Sequence, residues 1–164
     1  MRRRGADERG QALVEFALIL PIFVLLLVGI FDFGRAIYAY NTISNAAREA
    51  VRVGIVDQSC NMIGTEAQNR AGLDIAWAPT VAAPCGPAGS DIVISFLNSD
   101  GTTPSGTDRC LQPGTAPGVP FGCLVEVTIR YEYNAATPII GNLVGTLNLT
   151  ASTRQAVEFT NETP

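Results

Sequence analysis

Residues 10–33 read GQALVEFALILPIFVLLLVGIFDF, and the rest of the chain is placed by this stretch. From Phe16 to Phe31 no side chain is charged, and Ala12, Leu13 and Val14 extend the apolar segment in front of Glu15. The segment reaches roughly 20 residues, the length at which a helix rising about 1.5 Å per residue crosses a bilayer core. A transmembrane helix over residues 11–33 is therefore predicted.

Arg2, Arg3, Arg4 and Arg9 precede the run, whereas Asp32 and a single Arg35 follow it closely. The positive-inside rule then places the N-terminus in the cytoplasm and the chain from Asp32 onward outside, a single-pass arrangement. A secretory signal peptide also opens with arginines and an apolar run, but its apolar region is shorter and ends in an A-x-A-like site. Here the nearest small residue that could serve, Ala39, has bulky Ile37 two positions before it.

Glu15 is the informative polar residue, because a carboxylate near the end of a membrane helix is costly and needs a partner. Two readings stand. The side chain snorkels to the headgroups beside the nearby arginines, or it meets a new α-amino group created by cutting after Gly10. That cut would leave Gln11 as residue one and Glu15 as residue five.

Between Arg35 and Val53 there is neither Gly nor Pro, and Phe33, Ile37, Tyr40, Ile43, Ala47, Ala50 and Val53 recur at three- and four-residue spacing. The helix is thus expected to continue outside the membrane over residues 34–56, with that set as its apolar stripe. Asp32, Arg35, Arg48, Glu49 and Arg52 fall on the more polar surface, and Gly54 is the end signal. Pro21 removes a backbone donor inside the membrane run and predicts a kink, with or without a part in assembly.

A second helix is predicted over residues 62–77, with Ile63, Ala67, Ala71, Leu73 and Ile75 buried and Trp77 packed on the first helix. Gly64 and Gly72 weaken it by up to about 1 kcal/mol each. Prolines and glycines from Pro79 to Gly89 mark a loop before a strand over residues 91–97, and Asn98-Ser99-Asp100-Gly101 turns the chain. Residues 101–122 read as a long loop. Over residues 124–133, Val125, Val127, Ile129, Tyr131 and Tyr133 alternate strictly with Glu126, Thr128, Arg130 and Glu132, a half-buried strand. An apolar connection over residues 137–145 leads to a last strand over residues 147–159. The expected fold class is α+β: the long N-terminal helix continues into a small extracytoplasmic domain, residues 57–164, holding a second helix and an antiparallel sheet.

Cys60, Cys85, Cys110 and Cys123 all lie after the membrane segment. An even set in an oxidising compartment reads as disulfides with three possible pairings, of which Cys60 with Cys85 and Cys110 with Cys123 closes the shortest loops. A metal site is disfavoured by the absence of His and of any C-x-x-C, and no cofactor is expected. The chain carries a net charge of −4; without Arg2, Arg3, Arg4, Asp7, Glu8 and Arg9 it keeps seven basic and thirteen acidic side chains, a net −6. That leaves no basic patch for nucleic acid. With no His and no Lys, general-base and activated-nucleophile arrangements have few possible members, so no catalytic residue and no small-molecule substrate are assigned. The Asp32-Phe33-Gly34 tripeptide lacks every other part of a kinase, and G-x-x-x-G at Gly141 to Gly145 lies outside any apolar 20-residue segment.

Arg9-Gly10-Gln11-Ala12-Leu13-Val14-Glu15-Phe16 resembles the processing site of prepilins of the type IV kind: a charged leader ending in Gly, then an apolar helix with Glu at its fifth position. The longer string from Gly10 through DFGR and NAAREA to Gly54 resembles the N-terminal module of TadE-like proteins, pilin-like subunits of tight-adherence (Flp) pilus systems. Phe16 stands where that family has Tyr or Phe. The order YEYNAATPIIGNLVGTLNLTASTRQAVE is also similar to the C-terminal part of such chains, less specifically.

The resemblance implies removal of the leader, residues 1–10, by a membrane prepilin peptidase at the cytoplasmic face. It implies too that Glu15 pairs with the α-amino group of a neighbouring subunit. The function it implies is structural: a pseudopilin-like subunit, with other pilin-like subunits and the pilus assembly machinery of a cell-adhesion fibre as partners. The alternative is a single-span anchored domain that binds something outside the cell and is neither processed nor assembled.

Overall fold

A computed structural model describes residues 4–77, 85–86, 90–105, 110 and 122–158. In order, the elements are α1 (Arg4–Val56), α2 (Cys60–Ala71), β1 (Ile92–Leu97), β2 (Leu124–Asn134), α3 (Pro138–Val144) and β3 (Thr146–Ala156). The strands form one antiparallel sheet in the order β1-β2-β3, so the class is α+β. The chain divides into two units, one made of residues 4–37 with Asn134–Thr146, the other of residues 38–133 with 147–158.

In the first unit α1 runs without interruption through Pro21. It also takes in residues 4–10, so the described part of the expected leader is helical; residues 1–3 lie outside the described residues. Among the described residues, α1 is the one helix long and apolar enough to cross a membrane, and its most apolar stretch is nowhere buried within the chain. Leu13, Leu18 and Ile22 all stand exposed. The segment expected as an apolar connection contains α3. Pro138 at its first turn and Gly145 just past its end are the usual start and stop residues, since Pro lacks a donor the first turn does not need and Gly relaxes the exit.

The second unit is built where α1 turns from bulky to small residues. Ala39, Ile43, Ala46, Ala47, Ala50 and Val51 are its buried positions. Of the expected stripe, Ile43, Ala47 and Ala50 are buried and Val53 packs on the core, but Phe33, Ile37 and Tyr40 are exposed, and Ala39, Ala46 and Val51 join the core face instead. Small residues let the side chains of neighbouring elements approach closely, as Gly54 shows. A Cβ there would lie 2.9 Å from Cγ2 of Val125 in β2, so Gly54 is a contact residue inside α1 and not its end, which comes at Val56.

α2 begins earlier and stops sooner than expected. Ser59 caps it, its side chain accepting from the Met62 N–H at 3.3 Å. Gly72, at φ 55°, closes it in the left-handed region, which leaves Leu73, Ile75 and Trp77 outside the helix. Ile63, Ala67, Ala71 and Ile75 are nonetheless buried in one cluster with Ile43, Ala47 and Val51.

β1 and β2 pair antiparallel, with Ile92 opposite Ile129, Ile94 opposite Val127 and Phe96 opposite Val125. These six side chains are buried on one face, as the alternation of β2 predicts. The turn after β1 forms at Asn98 to Gly101, where the Gly101 N–H donates to the Asn98 carbonyl at 2.8 Å. Most of the loops predicted over residues 78–90 and 101–122, and the end of the last strand at Phe159, lie outside the described residues.

Candidate functional site

Gly10, Gln11, Glu15 and Phe16 fall on consecutive turns of α1. A Cβ built on Gly10 meets nothing within 4 Å. Nothing among the described residues therefore demands glycine at that position, and the residue costs the helix about 1 kcal/mol relative to Ala. Gln11 and Glu15 are one turn apart, and the Gln11 amide Nε2 donates to Glu15 Oε1 at 3.4 Å. Phe16 is exposed beside them. The helical backbone at Gly10 differs from the extended form a protease cleft accepts, so cutting there needs the first turns of α1 to unwind.

A second polar locus was not legible as such. Asp32, grouped by sequence with Arg35 on the polar surface, is only 3% exposed. Its carboxylate accepts from the Ala136 N–H at 3.1 Å, from the Thr137 N–H at 3.4 Å and from the Thr137 hydroxyl. These donors lie just before α3, more than a hundred positions along the chain. A buried carboxylate requires such donors, because its desolvation is otherwise uncompensated. The isolated Asp after a long apolar run was a signal, but no local spacing could name its partner.

The remaining polar contacts are structural. Glu126 of β2 accepts from Arg154 Nε at 2.8 Å and from the Ser152 hydroxyl at 2.7 Å, joining β2 to β3 on one face. Arg70 bonds Glu66 one turn back at 2.6 Å and reaches Glu49 at 4.0 Å; the hydrogen bond and charge of Glu66 raise its pKa. Asp100 is held below the usual carboxylate range by the hydroxyl and then the N–H of Thr102. Among the described residues no group of His, Cys, Asp and Glu is arranged to hold a metal ion.

The four cysteines lie in two pairs, Cys60 with Cys85 and Cys110 with Cys123, each with Cα atoms 5.7 Å apart. That spacing suits a disulfide. Cys85 is brought to Cys60 by two backbone hydrogen bonds with Ile94 of β1, at 2.8 and 2.9 Å.

Residues 10–52 match the family model of the TadE-like proteins, so it is this N-terminal segment that is similar to them. No curated protein and no solved structure gives a significant match. The matched segment contains Gly10, Gln11, Glu15, Phe16 and Asp32, and it ends within α1.

Proposed function

We propose that this chain is a non-catalytic, pilin-like subunit of a tight-adherence (Flp) pilus, anchored by α1 and trimmed after Gly10. The observation that carries the reading is a single helix, matched to the TadE-like proteins, that joins Gly10 and Glu15 to an apolar span unburied in the chain. Exposed apolar surface on that scale needs lipid or other helices to cover it.

The mechanism follows from those parts. Before assembly the apolar span sits in the inner membrane with its arginine-rich end in the cytoplasm. A prepilin peptidase hydrolyses the Gly10–Gln11 peptide bond, water supplying the hydroxyl to the Gly10 carboxylate and Gln11 gaining a free, protonated α-amino group. When the helix leaves lipid to pack among others, that ammonium needs a counter-charge, and Glu15 of an adjacent subunit supplies it. Pairing is the condition for burying both charges, since a charge left alone in an apolar bundle is heavily penalised.

Co-expression with a prepilin peptidase tests the proposal. N-terminal sequencing of the membrane protein should begin at Gln11, and Gly10→Trp, which has room in the folded helix, should block the cut by obstructing the protease. Glu15→Val should still be cut but lose incorporation into the fibre by at least about tenfold, an unpaired buried charge being worth several kcal/mol. An intact leader in cells that make the cognate pilus, or normal incorporation of Glu15→Val, defeats the corresponding half.

A further inference from the structure

Between Glu132 and Arg154 no side chain is charged, and α3 (PIIGNLV) lies in the middle of that stretch. Although it connects two strands of the sheet, the segment Asn134–Thr146 groups with the apolar part of α1 and not with the sheet. Asp32 is where it is tied: the carboxylate holds Ala136 and Thr137, the residues at the entrance to α3. Asp32 is also the first charged residue after the apolar run, so the tie fixes α3 at the level where the membrane span ends. There Val144 of α3 is 49% exposed, and Ile30, Phe31 and Phe33 of α1 are more exposed still.

We infer that α3 is a second membrane contact, a short helix lying in the boundary between headgroups and acyl chains at the C-terminal end of the α1 span, with Asp32 as its clamp. The inference rests on the transmembrane reading of α1. Lipid is the occupant the observations favour. An uncharged segment held at the edge of a span continues the surface that the span offers to the bilayer, and such helices sit about 5–10 Å into the boundary. A helix of seven residues is about 10 Å long and one face covers on the order of 100 Å². A specific protein interface needs about 800 Å² per partner, whereas partition into lipid has no such threshold. The clamp has a physical purpose in this setting: a carboxylate at the membrane edge is tolerable when backbone and hydroxyl donors satisfy it, and the same bonds keep α3 at that depth.

The test uses the full chain in phosphatidylethanolamine–phosphatidylglycerol vesicles containing lipids brominated near the headgroup or near the chain end. Native Trp77 is the background, and Val144→Trp and Phe23→Trp are the probes. The indole introduced at Val144 should emit to the blue and be quenched most by shallow bromine, that at Phe23 most by deep bromine. Quenching at Phe23 without quenching at Val144 overturns the inference and leaves the transmembrane reading standing. No quenching at either removes both. A blue-shifted indole at Val144 that bromine cannot reach until the protein is diluted in lipid means that a second copy covers α3, which also overturns the inference. Adding Asp32→Ala should abolish most of the quenching at Val144, and Thr137→Val, a milder change that keeps both backbone donors, should abolish part of it; unchanged quenching in both overturns the clamp.

Discussion

At the scale of single residues, Gly64 shows how a helix-weakening side chain can be required by its surroundings. A Cβ on it would lie 2.0 Å from Cε2 and Cζ2 of Trp77, so the indole ring occupies the place a side chain would take. Gly64→Ala gains about 1 kcal/mol of helix propensity. It also forces the ring away, and overpacking of that kind costs about 1–3 kcal/mol. The expected net result is destabilisation by up to about 2 kcal/mol, read as a lower urea midpoint of the full chain in detergent, followed by Trp77 fluorescence. A raised midpoint would show that the ring is free to move.

Among the elements, α2 is joined to β1 through Cys85, whose backbone pairs with Ile94 while its sulfur faces Cys60 at the first turn of the helix. The two cysteine pairs close segments with sequence separations of 25 and 13, and cross-links over such spans restrict the unfolded chain by about 3 kcal/mol each in the chain-entropy account. Protein taken from its native compartment without reductant should therefore show no free thiol. Its digest should contain Cys60 linked to Cys85 and Cys110 linked to Cys123. Recovery of all four as alkylated thiols would refute the bridges, and the crossed pairing would refute the geometry. α3 belongs to this scale too. Its start and stop residues, Thr137-Pro138 and Gly145, are plain in the sequence, yet Ile139, Ile140, Leu143 and Val144 read equally well as a buried linker, because a seven-residue segment is too short for periodicity to decide.

For the whole molecule, orientation is the property that charge distribution alone predicts. Four arginines precede the span and one follows it closely, and the bias is counted over such flanks and not over the net charge of −4. A reporter active only outside the cytoplasm, fused after Pro164, should be active. A well-expressed but silent fusion would reverse the assigned topology, and with it the compartment in which the cysteines can oxidise.

What the sequence by itself determined is whatever depends on neighbours along the chain. The apolar run after Glu15, the alternation from Leu124 to Tyr133, the turn at Asn98 to Gly101 and the Gly10–Glu15 spacing are local patterns, and local patterns set which backbone form buries or exposes a given face. What only the tertiary structure decided depends on who arrives from elsewhere. The core face of α1 is buried from Ala39 onward, through Ile43, Ala46, Ala47 and Ala50, while Phe33 and Tyr40 of the same expected stripe stay exposed, because the sheet and α2 pack where small side chains let them come close. Gly54 and Gly64 are contact residues because Val125 and Trp77 lean on them. Asp32 is a clamp and not a surface charge because Ala136 and Thr137, more than a hundred residues on, bring the donors that make its burial tolerable.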